Sequence, residues 1–232
     1  MRDFHVFIEQ QGEQIYVGKI TGSGSEEAVF SYAQEYLDNP SSCPISIHLP
    51  LQAQNFSAEE TRLFFEGLLP EGFTRKCVAG WIHADEYDYL TILAALGREC
   101  LGAIQIIEDG MDVPKAGYQK LTKEDVCRLA KEGALEAAEL VTKAHLSLTG
   151  ASGKVGLYYK IDTNEWYLPI GAAPSTHIVK QSHVRLDGIV TNEQLCLQTA
   201  KNLGIDVPDS FVINVGTGKD EEVLFATHRY IF

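Results

Sequence analysis

The 232-residue sequence has no apolar run long enough to span a bilayer, and it is poor in basic residues. Because a membrane helix needs about 20 consecutive apolar residues, we expect no membrane segment and no membrane partner. The first residues, "MRDFHVFIEQQ", carry two charges at once and contain no apolar core that ends in small residues. This start does not predict a signal peptide, so we expect a cytoplasmic protein.

Closely spaced cysteines are also absent. The five cysteines are odd in number and widely separated, and no C-x-x-C pair occurs. The pattern supports neither a zinc site nor a disulfide framework, and we expect reduced, mostly buried thiols. Lys and Arg number 19 against 32 Asp and Glu, which gives a net charge of −13. Without a basic stripe, so acidic a chain is not expected to bind nucleic acid directly.

What the chain does contain is enough apolar sequence for a core, since 45% of it is hydrophobic, with 10 Phe and 10 Tyr. Alternation and caps predict the elements of the first part. A capping box, Ser57 with Glu60, marks one helix start. The expected order is strands at 4–9 and 14–20, a strand or short helix at 27–37, a strand at 44–49, helices at 57–69, 73–84 and 86–97, and a strand at 102–107.

Turn residues cluster at 108–119 and predict a boundary there. Beyond it the pattern changes to short strands with few helices. The expected elements are a helix at 122–133, strands at 155–160, 165–168 and 176–180, a helix at 191–203, and strands at 210–215 and 222–228. The whole chain therefore predicts an α+β fold in two parts.

The stretch "SLTGASGK" (147–154) is either an ordinary hairpin turn or a phosphate-binding loop. A P-loop requires G-x-x-x-x-G-K-[ST], and Leu148 and Val155 break that pattern at both ends. A kinase-type loop instead takes its charge partners from a later strand and helix. Lys180 and Glu193 are in place for those roles, with the ammonium reaching phosphates and the carboxylate holding it. A solvent-exposed strand-end lysine and a favourable acid in a first helical turn are the alternatives.

Taken together, the motifs resemble the HipA family of bacterial serine/threonine kinases, the toxins of type II toxin–antitoxin systems. The resemblance is carried, in family order, by "FFEGLLPEG" (64–72), "LGRECLGAI" (96–104), "SLTGASGK", "WYLPIGAAPSTHIVK" (166–180), "NEQLCLQTAKNLGIDVP" (192–208) and "THRYIF" (227–232).

That resemblance implies a HipA N-terminal subdomain over 1–108, made of a small β-sheet and a helical cluster. A helical connector over 109–146 would follow. Residues 147–232 would form a protein-kinase-like N-lobe, an antiparallel sheet with one main helix, that ends at the hinge.

The resemblance also implies roles for single residues. Ser147 matches the loop serine whose autophosphorylation inactivates family members, and Glu193 would anchor the ATP lysine. Two positions depart from the family: Ser152 stands where Gln is usual, and the hinge run from Arg229 lacks its Asp. The implied ATP-binding residues are Thr149, Gly150, Ala151, Ser152, Gly153, Lys154, Lys180, His228, Arg229 and Tyr230.

Phosphoryl transfer further needs an aspartate for the incoming hydroxyl and side chains that hold Mg²⁺. No H-R-D-like or D-F-G-like segment occurs in the sequence. We therefore expect no catalytic and no metal-binding residue, a missing C-terminal helical lobe, weak or absent binding of ATP and Mg²⁺, and no activity of the chain alone. An exposed apolar face is expected at 230–232, and solvent exposure is expected for four isolated acids, Asp85, Asp88, Asp187 and Asp206.

The partners that the resemblance implies are a HipB-like helix-turn-helix antitoxin or a separate C-terminal kinase lobe, and a homodimer is compatible with the sequence. Family members phosphorylate translation factors, chiefly aminoacyl-tRNA synthetases. Two other hypotheses stay open. One is a non-catalytic interaction module built on residues 1–108, and the other is an unrelated acidic α+β protein with a chance glycine turn.

Overall fold

A computed structural model describes residues 1–10, 13–97, 104–110, 115–132, 139–140, 153–171, 173–182 and 188–229. Two antiparallel sheets dominate the described residues, and helices pack against each of them. The described part of the chain is thus a mixed fold of helices and antiparallel strands.

The first sheet contains four strands in the order β3-β2-β1-β4. Its alternating sequence buries one face, on which Phe4, Val6 and Phe30 are fully buried. Four helices cover that face, and Phe65 and Leu93 are fully buried among them. The bounds are β1 (Arg2–Gln10), β2 (Glu13–Gly22), β3 (Val29–Tyr32), β4 (Ile104–Glu108), α1 (Gln34–Asp38), α2 (Ala58–Glu66), α3 (Gly72–Trp81) and α4 (Tyr89–Leu96).

Local sequence fixes the ends of two of these helices. Ser57 and Glu60 form the expected capping box at the start of α2. α4 ends at Gly97, where the chain lies against β4. A Cβ atom there would stand 2.6 Å from the Leu93 carbonyl oxygen and 2.8 Å from that of Ile106, so only glycine fits between helix and strand.

The second sheet contains six strands in the order β5-β7-β6-β8-β10-β9. Two helices and two short 3-10 helices, at Ile161–Thr163 and Asp220–Glu222, accompany it. The bounds are β5 (Gly117–Lys120), β6 (Lys154–Lys160), β7 (Glu165–Ile170), β8 (His177–Gln181), β9 (Ser210–Asn214), β10 (Val223–His228), α5 (Lys123–Glu132) and α6 (Ile189–Asn202).

The two faces of the second sheet are buried by different neighbours. One face carries Val155, Leu157 and Val179 and joins the main core, which also contains the residues buried under the first sheet. On the opposite face, a small separate cluster forms where Val190 of α6 packs on Val223 and Phe225. Apart from α6, this second face has fewer described elements packed on it than the first face has. It carries the candidate site.

Most predicted elements are confirmed within a few residues, but the strand expected at 44–49 is wrong. Only an isolated bridge between Ser46 and Leu49 forms there. The reason is a tight loop around Tyr32, whose hydroxyl accepts a hydrogen bond from the Ile45 N–H (3.0 Å) and donates one to the Leu49 carbonyl (2.6 Å). Strand β5 was not expected, because it lies within the cluster of turn residues.

The expected burial of the thiols is also wrong for the described cysteines. Cys43 and Cys196 are exposed, because they lie in a surface loop and on the outer side of α6, and Cys77 and Cys127 are half-buried. All four are free thiols. None of the described helices is long and apolar enough to cross a membrane.

Among the isolated acids, Asp85 and Asp206 are exposed as expected, and Asp187 lies outside the described residues. Asp88 is half-buried and caps α4, because its carboxylate accepts hydrogen bonds from the Thr91 N–H (3.2 Å) and the Ser25 hydroxyl (2.6 Å). These hydrogen bonds indicate a structural role for Asp88.

Candidate functional site

Strands β6 and β8 bring two lysines together on the second sheet. In their antiparallel register, Lys154 at the start of β6 pairs with Lys180 near the end of β8. Directly paired residues place their side chains on the same face of a sheet, with Cβ atoms about 5 Å apart. The described end of the glycine-rich stretch therefore lies beside Lys180, as the kinase-type interpretation requires.

Helix α6 supplies the carboxylate that binds one of these lysines. The Nζ atom of Lys180 lies 2.6 Å from Oε1 of Glu193, so the two side chains are in contact. The same ammonium lies 5.5 Å from the centre of the Phe225 ring on β10. Lys180 and Glu193 keep 24% and 35% of their side-chain surface exposed, so the pair remains open to a ligand.

The position of Glu193 follows from how α6 begins and packs. Gly188 precedes the helix with φ at +70°, a left-handed conformation that glycine adopts without strain. Val190, in the first turn, packs on the sheet. Glu193, three residues later and about one turn further along, therefore projects on the same side of the helix, toward β8.

The electrostatics of the two lysines differ. Burial and then the positive charge of Lys180 lower the pKa of Lys154, while Glu193 and Glu71 act in the opposite direction. No ion pair to Lys154 occurs among the described residues. Among the described residues, the two ammonium groups thus have one carboxylate within hydrogen-bond distance, that of Glu193, and Glu71 acts on Lys154 only from further away.

At the far end of the same strands lie two histidines, in register with each other. The rings of His177 and His228 meet edge to face with centroids 5.4 Å apart. Burial and then the charge of His228 lower the pKa of His177. Because residues three apart on a strand point to opposite faces, the ring of His228 lies on the other face of the sheet from Phe225 and Lys180.

Arg229 follows His228 and is held by the segment before β8. Its N–H donates to the Thr176 carbonyl (2.8 Å), and its guanidinium donates to the Ser175 hydroxyl (2.7 Å). The end of β10 is thus tied to the start of β8 by main-chain and side-chain bonds.

The structure brings Gly153, Lys154, Lys180 and Glu193 together, with Gly153 buried beside Lys154. His228 and Arg229 lie at the other end of the strands. The remaining predicted positions, Ser147, Thr149 to Ser152, Tyr230 and the apolar face at 230–232, fall outside the described residues.

Sequence analysis did not single out two residues of β10 that share the face of Lys180. One is Phe225, which pairs with Lys180, and the other is Thr227, which pairs with Ile178. The Thr227 hydroxyl is buried without a hydrogen-bond partner. The alternation of "VLFATH" could have placed both on one face, but only the register with β8 shows that it is the face of the lysine.

Chemically, this face suits a polyanion. Two ammonium groups, one of them fixed by a carboxylate, can bind oxygens of a phosphate chain. No group of three or more metal-ligating side chains occurs within the described residues.

Two family models match the chain. The HipA N-terminal domain matches residues 11–107, and the HipA-like C-terminal domain matches residues 146–230. The second match contains Gly153, Lys154, Lys180 and Glu193, the four residues that we call the lysine cluster. The chain is therefore a member of the HipA family.

Curated relatives agree with this assignment. The protein Y4mE of Sinorhizobium fredii is 32% identical over 198 residues, which are 82% of this chain and 47% of that protein. The serine/threonine-protein kinase toxin HipA of Shewanella oneidensis is 26% identical over 177 residues, which are 76% of this chain and 40% of that protein. The chain thus spans about half the length of these relatives.

One solved structure has a similar fold. It is a chain of the complex of HipA, HipB and operator DNA from Shewanella oneidensis MR-1, with a TM-score of 0.73 and 19% identity. The likeness covers 97% of this chain and 50% of that one. It shows that the fold described above is a HipA fold.

Proposed function

We propose that this chain carries the nucleotide lid of a HipA-like serine/threonine protein kinase, the toxin of a toxin–antitoxin system. The observation that carries the proposal is the 2.6 Å pair of Lys180 with Glu193, with Lys154 directly opposite Lys180 in the sheet. Lys180 would bind the α- and β-phosphates of ATP, and Glu193 would hold its ammonium in place.

The lid proposed here extends over the glycine-rich stretch. Backbone N–H groups from Thr149 to Lys154 would face the phosphates, as glycine-rich turns allow. The end of β10, His228 to Tyr230, would border the base, and the position of the His228 ring favours its backbone for this role. ATP would supply the phosphoryl group with its Mg²⁺, and the residues of this chain would bind and orient it.

Phosphorylation of Ser147 is the off-switch that we propose for the lid. A phosphate adds a charge of about −1.5 to −2, which would repel the phosphates of ATP from the same loop. We place the lid in residues 147–232, a connector in 109–146 and the HipA N-terminal subdomain in 1–108, in a cytoplasmic protein.

The proposed partner is a HipB-like antitoxin. It is supported by the fold neighbour, which was solved in a complex with HipB and DNA. The excess of acidic residues argues that this chain itself does not contact the DNA. Co-purification of the chain with a HipB-like protein, followed by light scattering, tests this partner, and two separate peaks at micromolar concentration would contradict it.

Because the sequence contains no H-R-D-like or D-F-G-like segment, we propose that these 232 residues bind ATP weakly and do not transfer its phosphate. Calorimetric titration with ATP and Mg²⁺ tests the first part, and labelled ATP tests the second. We expect binding at millimolar ATP and no incorporation of label.

Two variants locate the binding. Lys180→Met should weaken ATP binding about tenfold or more, a loss of about 1.4 kcal/mol. Lys201→Met is the matched control, because Lys201 also pairs with a carboxylate, that of Asp209 at 2.9 Å, but lies on the exposed end of α6. Equal affinities in the two variants, or no binding at all, would contradict the lid, and label on the protein would contradict the inactive state.

A further inference from the structure

Among the lysines that the structure describes, Lys154 is the one that has a cation directly opposite it in the sheet and no carboxylate bound to it. It pairs with Lys180 across the sheet, and Glu193 binds Lys180 at 2.6 Å. Like charges placed directly opposite each other destabilise a sheet, and the strain is relieved when one of them is neutral. The arrangement therefore makes the ammonium form of Lys154 less favourable than that of a lysine held by a carboxylate.

Its surroundings act in the same direction. Lys154 is half-buried, so that its charged form is incompletely solvated. Burial and the neighbouring Lys180 lower its pKa, and the opposing effects of Glu193 and Glu71 do not cancel them. A neutral amine is a nucleophile, whereas an ammonium is not.

We propose that Lys154 is a site of acylation by acyl phosphates, such as acetyl phosphate, and that acylation closes the lid to polyphosphate. The class of reagent follows from the site, since an acyl phosphate presents an anion to Lys180 and a carbonyl to the adjacent amine. The acylation depends only on the lysine cluster, and its effect on nucleotide binding rests on the proposed function.

The reaction is a simple acyl transfer. The lone pair of the Lys154 Nζ atom attacks the carbonyl carbon and a C–N bond forms. The C–O bond to the phosphate breaks, inorganic phosphate leaves with the electron pair, and the amine proton goes to solvent. No oxidation or reduction occurs. The product is a neutral amide, so the cluster loses one of its two positive charges and gains the bulk of an acyl group.

Mass spectrometry of the full chain after incubation with acetyl phosphate at pH 8 tests the site. Two lysines serve as internal references, Lys120 and Lys201, because hydrogen bonds from their ammonium groups to Glu165 and Asp209 raise their pKa values. We expect Lys154 to be acetylated several-fold faster than either reference. Equal or slower acetylation of Lys154 would overturn the proposal.

A second reagent separates recognition of the phosphate from simple exposure. The uncharged N-hydroxysuccinimide ester of acetic acid has no phosphate to bind, so the preference for Lys154 over Lys201 should be smaller with it than with acetyl phosphate. Lys180→Met should slow acetylation of Lys154 by acetyl phosphate, because it removes both the anion anchor and the like charge. An unchanged rate in this variant would contradict the assigned role of Lys180.

The effect on the lid is measured with ATP. Acetylated protein and the Lys154→Gln variant should both bind ATP several-fold more weakly than unmodified protein, and unchanged affinity would overturn the closing of the lid. If unmodified protein binds no ATP while Lys154 is still acetylated selectively, the proposed function fails and the acylation site stands.

Discussion

The two halves of the molecule use charge differently. Residues 1–108 contain 16 acidic and 6 basic side chains, whereas residues 109–232 contain 16 acidic and 13 basic ones. The first half thus carries most of the net negative charge. The placement of the cations matters more than their number, because each half surrounds its cations in a different way.

In the first half, carboxylates bind the arginines that the structure describes. The guanidinium of Arg2 binds both carboxylate oxygens of Glu108, at 2.6 and 3.0 Å, and donates a further bond to the Thr91 hydroxyl. Arg62 contacts Glu66 at 2.8 Å and Glu26 at 3.0 Å. Arg2 thus ties β1 to β4 and α4, and Arg62 ties α2 to the segment before β3.

In the second half, cations outnumber the carboxylates that bind them at the lysine cluster. Two ammonium groups there have one carboxylate within hydrogen-bond distance. The two ammonium groups opposite each other cost stability, since like charges repel. The comparison teaches that the cations of Arg2 and Arg62 are held within the fold of the first half, whereas the lysine cluster leaves two ammonium groups with one hydrogen-bonded carboxylate, an arrangement that a bound anion would stabilise.

The largest expected effect is a loss of stability in the first half. Phe65 is fully buried and packs edge to face on Phe30, with ring centroids 5.3 Å apart. Phe65→Ala should lower the free energy of unfolding by about 3–5 kcal/mol, measured by urea denaturation with circular dichroism.

Two control variants show whether the loss of stability is specific to the buried core of the first half. Phe73→Ala, at a side chain that is 54% exposed, should cost less than about 0.5 kcal/mol. Lys180→Met should change stability by less than about 1 kcal/mol, because it removes one of two repelling charges together with a partly exposed ion pair. A loss of several kcal/mol in Lys180→Met would mean that the lysine cluster is structural.

A smaller effect is expected in acid. Burial would raise the pKa of Asp88, but hydrogen bonds from Ser25 and Thr91 outweigh it and the pKa is lowered. A carboxyl whose folded pKa is depressed stabilises the fold above its unfolded pKa of about 3.9, and this contribution is lost as the pH falls through the folded value. Asp88→Asn should therefore cost about 1 kcal/mol at pH 7 and progressively less below pH 4.

Urea denaturation at pH 7, 4 and 3 measures that difference. Asp206→Asn, at an exposed carboxyl, is the matched control and should track the unchanged protein at each pH. A stability difference between Asp88→Asn and the unchanged protein that stays constant down to pH 3 would show that the hydrogen bonds of Asp88 do not depend on its charge.

Sequence reasoning succeeded where local signals are strong. The capping box at Ser57, the alternation of β6 and β8 and the order of the second-half elements could all be read from neighbouring residues. The pairing of Lys180 with Glu193 was also predicted, because a lysine near a strand end and an acid early in the following helix are brought together by this crossover.

What sequence reasoning missed depends on register and on distant contacts. Nothing local shows that Lys154 stands opposite Lys180, since a slip of one residue would place it on the other face. The loop at 44–49 alternates like a strand, yet it wraps around the Tyr32 hydroxyl from a strand earlier in the chain. The capping role of Asp88 depends in part on Ser25, which lies 63 residues away.

The smallest expected effect concerns the pKa of Lys154, on which a carboxylate of the first half acts. Glu71, between α2 and α3, belongs to the acidic first half, yet it raises the pKa of Lys154 in the second, as Glu193 does more strongly. Glu193→Gln should lower the pKa of Lys154, and Glu71→Gln should lower it by less. The pH dependence of Lys154 acetylation should accordingly shift to lower pH in both variants.

Asp209→Asn is the control for this last test, because Asp209 raises the pKa of Lys201 and does not act on Lys154. In that variant the profile of Lys201 should shift to lower pH while that of Lys154 stays in place. If the pH profile of Lys154 acetylation shifts to higher pH in Glu71→Gln, the electrostatic effect of Glu71 is contradicted. The first half would then affect Lys154 through its fold and not through its charge.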